Sequence, residues 1–358
     1  MTVRYSRREF LEALSCASLL PIFEGCATPP AGGSGTYSVA LLGDIHYDSD
    51  RWERFHEAVG DITKAKHYGE FVRNTGMWKE RLPALLAASR RSLRPDTAFA
   101  VQLGDVVQGD ARDGDVQGEM LSEAYARLRA TYGELPVRLV TGNHDVRCPD
   151  GKEAYRRWCG RETNYLVRQG PDAWIFFDFN SPPTAEWVRR TFAETEGCRW
   201  TFVLTHGPAF PTGGKKPRWF LFGDEGLDDT RREFLRLMAA RRAIVLAGHT
   251  HHVAHSVFDL PEGRVVQLVM SSVWAEEPQR KIAFRTVEPA KWCTDLSRMP
   301  EKFHDDFRRL AAEYRPYLVS HRVCRAAGHF RLEVSDGGVV ARLFGGDAVA
   351  SDLTVALA

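Results

Sequence analysis

Seven short apolar runs punctuate the chain between residues 37 and 274: YSVALLGD (37–44), TAFAVQLGD (97–105), PVRLVTGNHD (136–145), AWIFFDFN (173–180), WTFVLTHG (200–207), AIVLAGHTH (243–251) and RVVQLVMSSVW (264–274). A strand reads as a continuous apolar run when both faces of its sheet are covered. Longer amphipathic stretches lie between several of the runs, at roughly 77–91, 117–132, 184–195 and 229–241. This alternation predicts an α/β layered fold. A late helical piece, MPEKFHDDFRRLAAEY (299–314), reads as an amphipathic cover over the core. After it, HFRLEVSDGGVVARLF (329–344) reads as a hairpin turning near Asp336, Gly337 and Gly338.

Five of the runs end in residues able to bind a metal. The first ends at Asp44 and His46, the second at Asp105, and the third at Asn143, His144 and Asp145. The fifth ends at His206 and the sixth at His249 and His251. Sites in open α/β sheets gather at the carboxyl ends of strands, so these residues are expected to converge. Residues i and i+2 of an extended chain point the same way, which lets Asp44 and His46 reach one point, and likewise His249 and His251. By the same reasoning His252 faces away. Gly43, Gly104, Gly142 and Gly248 precede the motifs, where a strand must turn sharply beside a ligand. Mixed imidazole and carboxylate donors suit Zn, Fe or Mn rather than Ca. The seven candidate ligands exceed one tetrahedral ion and fit two ions sharing a bridging carboxylate.

Charge decides what such a site would attract. The chain has 48 basic and 47 acidic residues among 358, a net charge of +1. No broad field is available to hold long nucleic acid or an anionic membrane, so anion chemistry has to be local. Two divalent ions with Asp44 and Asp105 leave a surplus of positive charge that would attract phosphate. Ions ~3.5–4 Å apart can clamp the attacking and leaving oxygens of an in-line displacement.

The order D-x-H, G-D, G-N-H-D, a lone His and G-H-x-H, from residue 44 to 251, resembles the calcineurin-like metallophosphoesterase superfamily. The resemblance implies a four-layer α/β/β/α sandwich. It implies one ion on Asp44, His46, Asp105 and His251 and a second on Asp105, Asn143, His206 and His249, with Asp105 bridging. The ions would be divalent or trivalent Fe, Mn or Zn. It further implies a metal-bridging hydroxide attacking phosphorus, with His144 as general acid and Asp145 orienting His144. Having His46 rather than tyrosine among the ligands points away from the coloured iron–tyrosinate members. The substrate expected is a small phosphate monoester or diester. The alternative reading is a non-catalytic, metal-dependent binding protein of the cell envelope.

The N-terminus reads as an address. SRREFL (6–11) carries Arg7 and Arg8, and a modest apolar stretch follows, matching a twin-arginine export signal. Proteins sent by that route usually fold, and often take up metal, before crossing. FEGCA (23–27) is similar to a lipoprotein cleavage box with Cys26 as the lipidated residue, although Glu24 stands where a small residue is usual. The expected location is the periplasm or cell envelope. TPPAGGSG (28–35) is a flexible tether. Residues 1–36 are therefore expected to be signal and tether, and 37–358 a metallophosphoesterase domain with a C-terminal helical and hairpin extension.

Several side chains stand outside this scheme. Beyond the leader, Cys148, Cys159, Cys198, Cys293 and Cys324 lack zinc-knuckle spacing and read as one disulfide, Cys148 with Cys159, or as buried thiols. His56, His67, His252, His255, His304, His321 and His329 read as hydrogen-bonded surface or core imidazoles. In the loop 207–226, Lys215, Lys216 and Arg218 are candidates for a second phosphate, and Trp219 or Phe220 for stacking on a base or sugar. The other reading is a solvated loop with apolar anchors. His67, Tyr68 and Arg73 are candidates for the site rim.

Overall fold

The first apolar run shows why it is unbroken. In Tyr37–Leu42, Val39 and Leu41 face one core while Ala40 and Leu42 face another, and all four are buried. The computed structural model describes residues 35–48, 65–160, 162–213, 217–223, 226–273, 281–297 and 299–358, with side chains from 76 onward in the first helix and without that of 218. Arg7, Arg8, Cys26, the tether, His56, Lys215 and Lys216 lie outside the described residues, as do the side chains of His67, Tyr68, Arg73 and Arg218.

Gly35–Ala358 forms one compact unit. Its elements follow in chain order: β1 (Tyr37–Leu42), α1 (Ala65–Arg91), β2 (Thr97–Gln102), α2 (Gly114–Tyr132), β3 (Val137–Leu139), α3 (Gly151–Cys159), β4 (Tyr165–Gln169), β5 (Asp172–Phe177), α4 (Ala185–Glu194), β6 (Thr201–Thr205), α5 (Asp228–Ala240), β7 (Ile244–Ala247), β8 (Val253–Leu260), β9 (Gly263–Val269), β10 (Arg285–Val287), α6 (His304–Tyr314), β11 (Leu318–Cys324), β12 (Gly328–Ser335), β13 (Gly338–Gly345) and β14 (Leu353–Ala356). One sheet runs β14-β13-β12-β1-β2-β3 and the other β10-β11-β8-β9-β7-β6-β5-β4. Strands β1, β2 and β3 are mutually parallel in the first sheet, and β5, β6, β7 and β9 in the second.

Three cores define four layers. Between the sheets, Val39, Leu41, Phe99 and Val101 meet Trp174, Phe176, Phe202, Leu204 and Leu246. Outside the first sheet, α1 and α2 bring Trp78, Leu82, Leu85, Met120, Leu121 and Leu128 onto Ala40, Leu42 and Ala100. Outside the second, Phe192 of α4, Phe234 and Met238 of α5 and Phe307 and Leu310 of α6 cover Ile175, Phe177, Val203 and Val245. Removing this much apolar surface from water is the main force holding the layers together. The architecture is the expected α/β/β/α sandwich.

The C-terminal segment differs from the expectation. The hairpin turns at Asp336–Gly337 as anticipated, with Ser335 opposite Gly338. It is no appendage, because β12 pairs antiparallel with β1 in the middle of the first sheet. Burying Phe330, Leu332 and Val334 in the central core supplies the reason. Strands β4, β8, β10, β11 and β14 and helix α3 also go beyond the seven runs. All five described cysteines are free thiols, Cys148 and Cys159 among them. Among the described residues, no helix is long and apolar enough to cross a membrane.

Candidate metal centre

The ends of β1, β2 and β3 in one sheet and of β6 and β7 in the other come together at one edge. An isolated parallel bridge between Asp44 and Ser271 joins the two sheets there, and Gly43 N donates to Ser272 Oγ at 2.8 Å. His46 N donates to the Asp105 carbonyl at 3.0 Å, and Gly248 N to that of His206 at 3.0 Å.

Two sets of donor atoms form. Asp44, His46, Asp105 and His251 make one set, and Asp105, His206 and His249 the other, with the atoms of each within 4.8 Å of one another. Ligands ~2.0–2.2 Å from one ion lie at most roughly 4.4 Å apart, close to this spread, so small inward movements would seat an ion in each set. Asp105 belongs to both. Its Oδ2 lies 3.1 Å from His206 Nε2 and 3.8 Å from His46 Nε2. Asn143 Oδ1 sits 3.2 Å from His206 Nε2, beside the second set. Ring nitrogens face each other in pairs: His46 Nε2 and His251 Nε2 at 2.9 Å, His206 Nε2 and His249 Nδ1 at 3.0 Å. Two lone pairs so placed repel unless a proton or a cation lies near both. Metal binding by this set of imidazoles and carboxylates answers that need, so the residues fit two ions.

The convergence has a different local cause from the one expected. His46, Asp105, His249 and His251 have φ of 46°, 52°, 71° and 56°, in the left-handed region rather than extended. Tight left-handed turns, not the period of a strand, aim these side chains. For non-glycine residues this region costs ~1–2 kcal/mol each, and such strain persists where the surroundings over-determine it. The glycines serve close approach. A Cβ on Gly142 would meet Asp105 N at 2.0 Å, and one on Gly104 would meet His206 Nδ1 at 2.5 Å.

Burial sets the electrostatics. It pushes the Asp44 carboxyl up to about 7. Burial opposes the charged ring of His206, but Asp105, Asp44 and the Leu103 carbonyl outweigh it and raise this imidazole to about 9. Burial works equally against charge on Asp105, yet His206, His144 and His46 hold it well below the usual carboxylate range. His251 is held well below its ordinary value by burial, then by His46. The first set thus offers a neutral imidazole and an ionised carboxylate, the forms that bind metal.

His144 lies beside the centre, its ring edge-on to that of His46 at 4.6 Å. Its Nδ1 is 2.6 Å from the Gln108 carbonyl, which can only accept, so Nδ1 carries the proton and Nε2 faces Arg147 Nη1 at 3.2 Å. Burial and then Arg147 hold the ring well below its ordinary value. The expected pairing of Asp145 with His144 is absent. Asp145 instead accepts from Gly142 N at 2.8 Å and Val107 N at 3.1 Å, fixing the loops that carry Asn143 and Asp105. Gln108 orients His144 in its place.

Two aromatic side chains flank the centre: Trp219, one of the two stacking candidates, and Phe179, which sequence reasoning missed. Trp219 and Phe179 set their rings 4.6 Å and 5.2 Å from that of His249. Phe220, the other stacking candidate, is buried in the helix-side core. His252 is turned to the Thr250 carbonyl at 2.9 Å.

Known proteins share this fold. The structure of PhoD superposes with a TM-score of 0.55 at 9% identity, over 90% of this chain and 70% of that one. The purple acid phosphatase PPD1 from seeds of yellow lupin (Lupinus luteus) superposes with a TM-score of 0.54 at 10% identity, over 91% of this chain. This chain spans about half of that protein, 54%. Among curated proteins none matches at the sequence level. The profile described as calcineurin-like phosphoesterase matches residues 37–253, every ligand candidate included. The chain therefore belongs to the calcineurin-like phosphoesterase family and is a metal-dependent phosphoester hydrolase.

Proposed function

We propose that this enzyme hydrolyses small phosphate esters at two transition-metal ions, Fe, Mn or Zn. Asp44, His46, Asp105 and His251 hold one ion, and Asp105, Asn143, His206 and His249 the other. The observation that carries the reading is Asp105, a buried carboxylate common to both donor sets. Bound ions would supply an acidified water and a clamp on the phosphoryl oxygens. The chain's residues do the rest. The Gln108 carbonyl keeps the His144 ring in one tautomer, with Nε2 toward Arg147. In the metal-free chain this ring is neutral with Nε2 unprotonated; a bound phosphate dianion, by offsetting Arg147, would let Nε2 take up a proton and deliver it to the leaving oxygen. Asp145 keeps the loops bearing Asn143 and Asp105 in register through Gly142 N and Val107 N. Trp219 and Phe179 give the leaving group an aromatic neighbour.

His144→Ala should keep both ions by elemental analysis and lose about 10²–10⁴-fold in kcat. The loss should be larger for an alkyl ester than for p-nitrophenyl phosphate, whose leaving group needs less help from an acid. Equal losses on both would remove the acid role. We also propose export through Arg7 and Arg8 to the cell envelope, with Cys26 as lipid attachment. Replacing both arginines by lysine should retain the protein in the cytoplasm, and Cys26→Ser should release it from membranes.

A further inference from the structure

We propose that Arg147 is a phosphate anchor that directs this site to monoesters, an inference that rests on the phosphoester reading above and adds its substrate class. Nothing in the sequence marked Arg147, which follows the G-N-H-D motif by two positions. In the structure its guanidinium is pinned along one edge. Nε donates to Asp110 and Nη2 is ion-paired with it; Asp110 is only 4% exposed and itself in the left-handed region with φ 58°. The backbones are locked too, Asp110 N donating to the Arg147 carbonyl. This leaves Nη1 turned to His144 Nε2 at 3.2 Å, on a ring that lies 4.6 Å from that of His46. The side chain remains 29% exposed, within reach of a ligand.

A planar guanidinium fixed by a carboxylate on one edge presents its other edge as a rigid donor for an anion. The chemistry of phosphate then sets the preference. A monoester has three non-bridging oxygens. Two can go to a pair of ions, and the third needs a further donor. A diester has only two, and its second ester oxygen would leave the Arg147 donor facing a weak acceptor. Leaving a desolvated donor poorly matched penalises the wrong substrate more than it helps the right one. Charge agrees: the Asp110–Arg147 pair is neutral overall, so the surplus on two ions is left to match a dianion.

The test uses the metal-loaded full chain and three ligands: p-nitrophenyl phosphate, bis(p-nitrophenyl) phosphate and inorganic phosphate. The wild type should favour the monoester. Arg147→Met should lower kcat/KM for it by about 100-fold, and weaken inorganic phosphate binding by calorimetry about as much. Its effect on the diester should stay under about ten-fold, and metal content should not change. Arg147→Lys, which keeps the charge but not the fork, should fall between and guards against a misfolded variant. A wild type that prefers the diester overturns the inference while leaving hydrolysis intact. Equal losses on both esters with unchanged phosphate affinity overturn it too, since Arg147 would then act only through His144. If neither ester is hydrolysed but phosphate binding still depends on Arg147, the anchor stands and the hydrolytic reading falls.

Discussion

Two sets of histidines lie buried or, for His251, half-buried among the described residues, and they differ in backbone and in partners. His46, His206, His249 and His251 follow strand ends, and three of them have left-handed backbone. His255, His321 and His329 sit inside β8, β11 and β12. Each strand histidine has an ordinary partner: Arg322 at 2.9 Å, Ser256 Oγ at 2.8 Å and the Ala348 carbonyl at 2.8 Å, respectively. His329 also stacks on Phe344 at 4.6 Å. Burial holds all three at about 4. So an inaccessible imidazole with a depressed pKa does not mark a site. What marks it is several imidazoles around a shared carboxylate, on backbone bent into the left-handed region.

The sharpest way to break that contrast is at Asp105. Asp105→Asn keeps the shape and removes the anion common to both donor sets. Elemental analysis should then find fewer than two ions per chain, and turnover should drop by about 10³-fold or more. His329→Phe, made in parallel, should leave metal content and turnover close to wild type. Full metal occupancy in Asp105→Asn, or metal loss in His329→Phe, would erase the distinction between the sets.

How much of this was legible depended on whether the signal was local. Polar residues closing an apolar run are local, so Asp44, His46, Asn143, His206, His249 and His251 could all be placed at strand ends. Asp105 follows a bare G-D and gained meaning only from its order among the others. Asp145 was misread because adjacency to His144 suggested a pair, whereas in the fold its oxygens point to Gly142 and Val107 amides. The group that does orient His144 is a backbone carbonyl, which any residue at 108 would provide, so no side chain could announce it. Helix α2 begins earlier than the hydrophobic period implied, because Asp113 caps it by accepting from Val116 N at 2.9 Å. Strand β11 escaped notice since its polar His321 and Arg322 find partners in tertiary structure, among them Ser256 and His255 across the sheet. Phe179 and Trp219 meet His249 through tertiary packing alone.

Proton linkage offers a gentler probe of the same contrast. His206 is raised to about 9 and Asp44 to about 7, and both must lose their protons to bind metal. Metal affinity should therefore climb as pH rises toward about 9, most steeply below about 7 where both protons are displaced, by up to about tenfold per unit for each proton released. Calorimetry in buffers of different ionisation enthalpy counts those protons. A flat profile would mean that neither group is protonated in the metal-free chain.

The smallest expected effect belongs to the strand histidines. Ser256→Ala removes the partner of His321 Nδ1 in a place water does not reach, since Ser256 is 0% and His321 2% exposed. Leaving a buried polar atom unsatisfied costs about 1–3 kcal/mol, which urea unfolding at neutral pH can resolve. Acid should add to it in the wild type. His255, His321 and His329 are depressed to about 4 against an unfolded value near 6.5, so the unfolded chain binds protons first. Their share of stability is fully present above about 6.5 and is lost as pH falls toward 4. Metal occupancy at neutral pH should be the same in Ser256→Ala and wild type. Should it fall with stability, the two sets of histidines are coupled through β8, whose first residue follows His252 directly.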